Sequence, residues 1–242
     1  MKIDFCKRMA GLREMFFPAD CALCGKMLLS ADEAFYGICS DCAKNFQPEL
    51  VPRCSLCGKP LISEKERCMA CREKPGTERA VPFAFDAAFV VFPYVGKYSE
   101  LCKAYKFGRK KNISRFFALK LLEARLIAPF PREAATWAPV PPRAGKIKET
   151  GWDQVEEIAK IIEKSIDVQR CLRRLPSKSQ KKLGKEKRLT NLKGKILCTG
   201  KPAKDMVLFD DVFTTGSTLS VCAEELKASG AEHVYGICLF YD

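Results

Sequence analysis

From Phe83 onward the chain alternates between continuous apolar runs and stretches whose apolar residues return every three or four positions. The runs predict strands at residues 85–94, 137–140, near Val168, 206–209 and 234–240, because buried parallel strands read as unbroken apolar segments. The periodic stretches predict helices at 98–107 and 112–128, interrupted by Gly108, and at 217–228. A further helix is marked by Val155, Ile158, Ala159, Ile162 and Ile166, which share one face. Pro141 and Pro142 end the second strand. Such alternation predicts an α/β domain over residues 80–242, its mostly parallel sheet covered by helices on both faces. At the other end, Phe5, Met9, Leu12 and Phe16 recur at helical spacing and predict a short amphipathic helix over residues 1–18 that packs on the rest.

Residues 19–78 follow neither rhythm and have few aliphatic side chains; cysteines organise them instead. Eight of the fourteen cysteines form four Cys-x-x-Cys pairs: Cys21/Cys24, Cys39/Cys42, Cys54/Cys57 and Cys68/Cys71. Two intervening residues let a tight turn aim both thiolates at one tetrahedral ion, so four pairs supply two Zn²⁺ sites. Gly25 and Gly58 directly follow the first and third pairs, where a positive φ frees amides to face the sulfurs. Loops of 14 and 10 residues then lead to the second and fourth pairs, which favours two sequential zinc ribbons over a cross-braced arrangement. A site closed by four thiolates has no open coordination position, so both ions should be structural. The isolated Cys6, Cys102, Cys171, Cys198, Cys222 and Cys238 sit among apolar neighbours and read as small core residues.

No stretch approaches the roughly 18 uncharged apolar residues of a membrane helix, so membrane insertion is not expected. Asp4, Arg13 and Glu14 break any secretory apolar run at the N-terminus. Reduced, metal-binding cysteines point to a cytoplasmic location. Of the formal net charge of +13, a net +10 falls between Arg170 and Lys195, where eleven Lys and Arg face Glu186 alone. A block this dense suits either a solvated segment or a polyanion contact.

The segment MVLFDDVFTTGSTL, residues 206–219, carries the chemistry. An apolar strand ends in Asp210 and Asp211, and a Thr/Gly/Ser turn then opens a helix. Ligands of open α/β sheets bind at the carboxyl ends of strands, and helix N-termini attract phosphate through free amides. Adjacent carboxylates there can hold a vicinal diol, or Mg²⁺ through water. A ribose 5-phosphate fits both parts, diol on Asp210 and Asp211, phosphate on Thr214, Thr215, Gly216, Ser217 and Thr218.

This segment resembles the phosphoribosyl-pyrophosphate (PRPP) motif of type I phosphoribosyltransferases, four apolar residues followed by DD-x-x-TTG-x-T. The resemblance implies the type I phosphoribosyltransferase fold for 80–242. It also implies a pyrophosphate loop at Ala138, Pro139, Val140, Pro141 and Pro142 with Arg143 next, Val140 and Pro141 contacting PRPP, and a closing loop in the basic window. The whole chain is similar to the ComF family, which joins a double zinc ribbon to such a domain. Carrying that similarity are Pro139-Val140-Pro141, Lys146, Lys148 and Gly151-Trp152-Asp153-Gln154 against the family's PVP and RGFNQ. Gln180, Leu183, Arg188 and Asn191 match its T-x-Q-x-x-L-x4-R-x-x-N, with Lys178 in place of Thr; Tyr94-Val95-Gly96 and Lys106-Phe107-Gly108 match the start of the domain. Thr150 and Asp153 depart from the Arg and Asn of RGFNQ, with Arg143, Lys146 and Lys148 available to compensate.

The resemblance assigns Asp210 and Asp211 to ribose and Mg²⁺, and Lys106, Arg143 and Arg188 to the pyrophosphate. The family's role in uptake of transforming DNA implies single-stranded DNA on Lys181, Lys182, Lys185 and Lys187, with a DNA-uptake helicase or membrane machinery as partner. Aromatics are sparse in that window, so base stacking falls to Trp152 or Phe213, or is absent. The other reading is an active phosphoribosyltransferase of nucleotide metabolism joining PRPP to a nitrogen nucleophile. His233, the sole histidine, precedes the last strand and is given no part in the site.

Overall fold

The computed structural model describes residues 19–48, 50–72, 83–108, 110–131, 135–176, 192 and 194–242. The helix expected over 1–18 lies outside these residues. At the centre is a parallel four-stranded sheet. Its strands are β1 (Ala87–Pro93), β2 (Thr136–Pro139), β5 (Asp205–Phe213) and β6 (His233–Tyr241), in the order β1-β6-β5-β2. A bridge from Trp137 to Val168 extends it beyond β2, so the strand expected near Val168 is a single pairing. A separate antiparallel hairpin joins β3 (Leu172–Arg174) to β4 (Ile196–Cys198) at the two ends of the basic window.

Successive residues of a strand face opposite sides, and the core divides accordingly. Phe89, Val91, Val207, Phe209, Ile237 and Leu239 belong to one cluster, with residues of α4 (Gly96–Lys106), α5 (Ile113–Arg125) and α7 (Gln154–Ile162). Ala88, Val90, Met206, Leu208 and Cys238 belong to the other, with Leu219, Cys222, Ala223 and Leu226 of α8 (Ser217–Ala228). Both faces are buried, which is why these strands read as continuous apolar runs. Cys102, Cys171, Cys222 and Cys238 are buried core residues, while Cys198 is half-buried.

The ribbons grip the edge strand β1 from both sides. The first, with α1 (Ala31–Tyr36) and α2 (Ser40–Lys44), puts Phe46 edge-on to Phe92, Tyr98 and Phe116 at 5.6, 5.0 and 5.7 Å. Arg115 of α5 donates to the Phe35 carbonyl at 3.1 Å. The second ribbon, ending in α3 (Met69–Arg72), bonds the strand itself: the Ala88 amide donates to the Leu56 carbonyl at 2.8 Å. Arg53 bridges the Gly58 and Val90 carbonyls at 3.0 and 2.7 Å. A Cβ at Gly58, whose φ is +71°, would lie 2.3 Å from the Ala88 carbonyl oxygen, so the ribbon backbone lies directly on the strand. An otherwise exposed sheet edge is thereby covered.

Among the described residues, no helix is long and apolar enough to cross a membrane.

Candidate phosphate and metal sites

Cys21, Cys24, Cys39 and Cys42 converge at one centre, and Cys54, Cys57, Cys68 and Cys71 at another; within each group the sulfurs lie within 4.8 Å of one another. The pairing is sequential, not cross-braced. A Zn–S bond of about 2.3 Å places thiolates of a tetrahedron about 3.8 Å apart. Cys24 and Cys39, and likewise Cys57 and Cys68, are 3.7 Å apart, so the residues fit zinc. Both knuckles have the same build: the Gly25 amide donates to the Cys21 carbonyl at 3.0 Å and the Gly58 amide to Cys54 at 2.9 Å, with φ of +73° and +71°.

The second site forms where β2 stops. Val140 makes the last ladder bond, its amide donating to Phe209 at 3.0 Å, and the prolines then carry the chain away. Beyond that point β5 continues with no paired strand on this side among the described residues, leaving a cleft of about 330 Å³. Its lining is Val140, Pro141, Pro142, Arg143, Lys146, Asp153, Val155, Arg174, Asp210, Asp211 and Thr218. Asp210 and Asp211, adjacent on the strand, look to opposite sides. Asp211 meets Lys106 at the end of α4, Nζ to Oδ2 2.8 Å. Burial, the largest influence, opposes the Lys106 charge, but the Asp211 carboxylate and the neighbouring Cys102 and Asp210 together outweigh it and raise the pKa. Asp210 accepts the Asp211 amide at 2.8 Å. Its carboxyl is pushed up to about 8, first by burial and second by the charge of Asp211.

The turn from β5 into α8 has Gly216 at φ +73°, and a Cβ there would lie 2.5 Å from the Phe83 ring and 2.8 Å from the Phe213 ring. The main chain is therefore pressed on two aromatics, which fixes its direction. The Thr215 and Ser217 hydroxyls hydrogen-bond each other at 2.7 Å, and the Ser217 amide makes a long 3.4 Å contact to Thr215. Among the described residues, the amides of Thr214, Thr215, Gly216 and Thr218 meet no protein acceptor.

Across the cleft, two cations are held in pairs at and just before α6 (Lys146–Thr150). Arg143 donates to both oxygens of Glu149, one at 2.9 Å. Lys146 meets Asp153 at 2.6 Å and also Gln154. Asp153 caps α7 as well, accepting the Glu156 amide at 2.9 Å, so the departure from Asn adds a charge that Lys146 neutralises. Thr150 directs its hydroxyl to the Lys146 and Trp152 carbonyls, both at 2.8 Å, while Lys148 is exposed.

The structure thus gathers Val140, Pro141, Arg143, Asp210, Asp211 and Thr218 at one cleft, with Lys106 behind Asp211. Arg188, Lys181, Lys182, Lys185 and Lys187 lie outside the described residues. Trp152 and Phe213, the expected stacking surfaces, are both 4 % exposed and present no face to a nucleic acid. Trp152 packs edge-on to Tyr105 at 5.2 Å, and Phe213 makes edge contacts with Phe83 and Phe85. His233 bonds Asp205 at 2.9 Å, at the opposite end of β5 from the cleft. Arg174 was not singled out by its sequence context, because a charged three-residue strand in a basic run has no apolar rhythm.

An α/β sheet carrying a double zinc ribbon on its edge defines the class of the protein. Residues 12–72 match the family model of the double zinc ribbon domain. Along most of its length the chain is similar to the DNA utilization protein YhgH of Salmonella typhi, 29% identical over 236 residues, covering 92% of this chain and 96% of that protein. It is also similar to competence protein F of Haemophilus influenzae, 25% identical over 211 residues, or 82% and 87% of the two chains. These similarities, with the double zinc ribbon match, support the resemblance to the ComF family.

Proposed function

We propose that this protein is a cytoplasmic DNA-uptake factor that binds PRPP or a related phosphosugar, on a type I phosphoribosyltransferase-like domain. The single observation that carries the phosphosugar is the meeting of Asp210, Asp211 and Thr218 in one cleft, at the start of a turn whose Thr214, Thr215, Gly216 and Thr218 amides have no protein acceptor among the described residues. In this reading the 5-phosphate sits on Thr214, Thr215, Gly216, Ser217 and Thr218, where amides and the helix dipole favour an anion. The ribose diol meets Asp210 and Asp211, and the same carboxylates suit a hydrated Mg²⁺, which would offset the charge of the diphosphate. Arg143 lies on the side of the pyrophosphate loop at Val140 and Pro141. The DNA role rests on the names of the relatives, and contact with single-stranded DNA is assigned to the basic window at Lys181, Lys182, Lys185 and Lys187, through phosphates, since Trp152 and Phe213 are buried.

Titrating Mg·PRPP calorimetrically into wild type and into Asp210→Asn/Asp211→Asn, with and without a single-stranded oligonucleotide, tests this. Saturable heat in wild type that disappears in the double variant is expected. Equal heat in both proteins would remove the site. Release of pyrophosphate during the titration with a purine, pyrimidine or amine present would establish transferase activity in place of binding alone.

A further inference from the structure

Among the described residues three cations line the cleft, and two of them are neutralised by neighbours: Arg143 by Glu149 and Lys146 by Asp153. The third, Arg174, makes no side-chain hydrogen bond or ion pair among the described residues, though it is half-buried. Taking a guanidinium partly out of water without a partner costs free energy. Its pKa is lowered, by burial first, while Asp210 acts in the opposite sense. The backbone nevertheless holds Arg174 firmly in place. It pairs with Ile196 across the β3–β4 hairpin, and the next amide, Leu175, donates to Lys195 at 2.7 Å. A guanidinium fork on a fixed backbone at the wall of a cleft, with no partner among the described residues, matches the paired oxygens of a phosphate group.

We propose that Arg174 anchors the diphosphate end of the ligand. This assignment rests on the phosphosugar reading and deepens it. The ligand then spans the cleft, its 5-phosphate on the turn at 214–218 and its diphosphate between Arg174 and the loop at Val140. Arg174 takes the charge role that Thr150, whose hydroxyl is spent on main-chain carbonyls, does not fill.

The test separates the two ends of the ligand. Inorganic diphosphate with Mg²⁺, and separately ribose 5-phosphate, are titrated into wild type, Arg174→Gln, Arg174→Lys and Asp210→Asn/Asp211→Asn. Losing a charge-assisted contact should weaken diphosphate binding about 10- to 100-fold in Arg174→Gln, leaving ribose 5-phosphate within about twofold. Arg174→Lys, which keeps the charge but not the fork, should fall between. Unchanged diphosphate affinity in Arg174→Gln, while the aspartate variant loses ribose 5-phosphate, overturns the Arg174 assignment and spares the wider reading. Binding of neither compound by wild type overturns both. A loss of single-stranded DNA binding in Arg174→Gln with diphosphate binding intact also overturns the assignment, giving the residue to nucleic acid.

Discussion

Two adjacent carboxylates at the end of a buried strand are costly unless something answers their charge. Lys106 answers Asp211, whereas Asp210 is left with burial and a like charge, and its carboxyl is raised to about 8. The pH dependence of stability follows. Below the ordinary carboxyl value of 3.8 the group is protonated in both states and costs nothing; as pH rises towards about 8 the unfolded chain ionises and the folded one resists, so stability falls. Asp210→Asn removes this cost. The variant should melt above wild type at pH 8–9 by about 2–4 °C for each kcal/mol relieved, with the gap closing towards pH 4. A melting difference independent of pH would contradict it. The groups that set the effect are Asp211, Lys106 and Asp153, with Arg174 on the far wall. Replacing Lys106 by Met leaves Asp211 unanswered and should cost about 1–3 kcal/mol in urea unfolding at pH 7.

Among elements, the two zinc knuckles provide an internal comparison, since Gly25 and Gly58 have nearly the same positive φ and different surroundings. Nothing lies within 4 Å of a Cβ at Gly25, whereas at Gly58 it would meet the backbone of Ala88 and Phe89. Gly25→Ala should therefore cost about 1–2 kcal/mol from the left-handed backbone alone. Gly58→Ala should cost roughly 1–3 kcal/mol more from overpacking against β1, both by urea unfolding of the zinc-loaded protein. Strands β1, β5 and β6 were legible in the sequence because burial on both faces leaves an unbroken apolar run, and the knuckles because four thiolates demand that spacing. The β3–β4 hairpin and α6 were not. Leu172-Arg173-Arg174 has neither length nor alternation, and Lys146–Thr150 is a five-residue helix of mostly charged side chains with no residue buried. Arg174 went unrecognised with its hairpin, while Asp210, Asp211 and the turn were readable because a single contiguous segment carries them.

In the whole molecule, metal binding and sheet integrity are joined. The grip of the second ribbon on β1 was not legible, since much of it is made by main-chain groups such as the Leu56 carbonyl and Gly58 that carry no side-chain signal. Ligand-dependent folding of such a module means that removing zinc unfolds the cover and bares the strand edge. Hydrogen exchange after chelation should show β1 losing protection well before β5, which lies inside the sheet between β6 and β2. Equal protection of β1 with and without zinc would show that the ribbons are independent appendages.

Above all, a sugar phosphate should occupy the turn that leads from β5 into α8. Two-dimensional amide NMR of the zinc-loaded protein, titrated with Mg·PRPP, observes that turn directly. The signals of Thr214, Thr215, Gly216, Ser217 and Thr218 should shift together with those of Asp210 and Asp211 and saturate along one binding curve, and the shifts should vanish in Asp210→Asn/Asp211→Asn. Saturable shifts confined to other parts of the chain, with these amides unmoved, would contradict it.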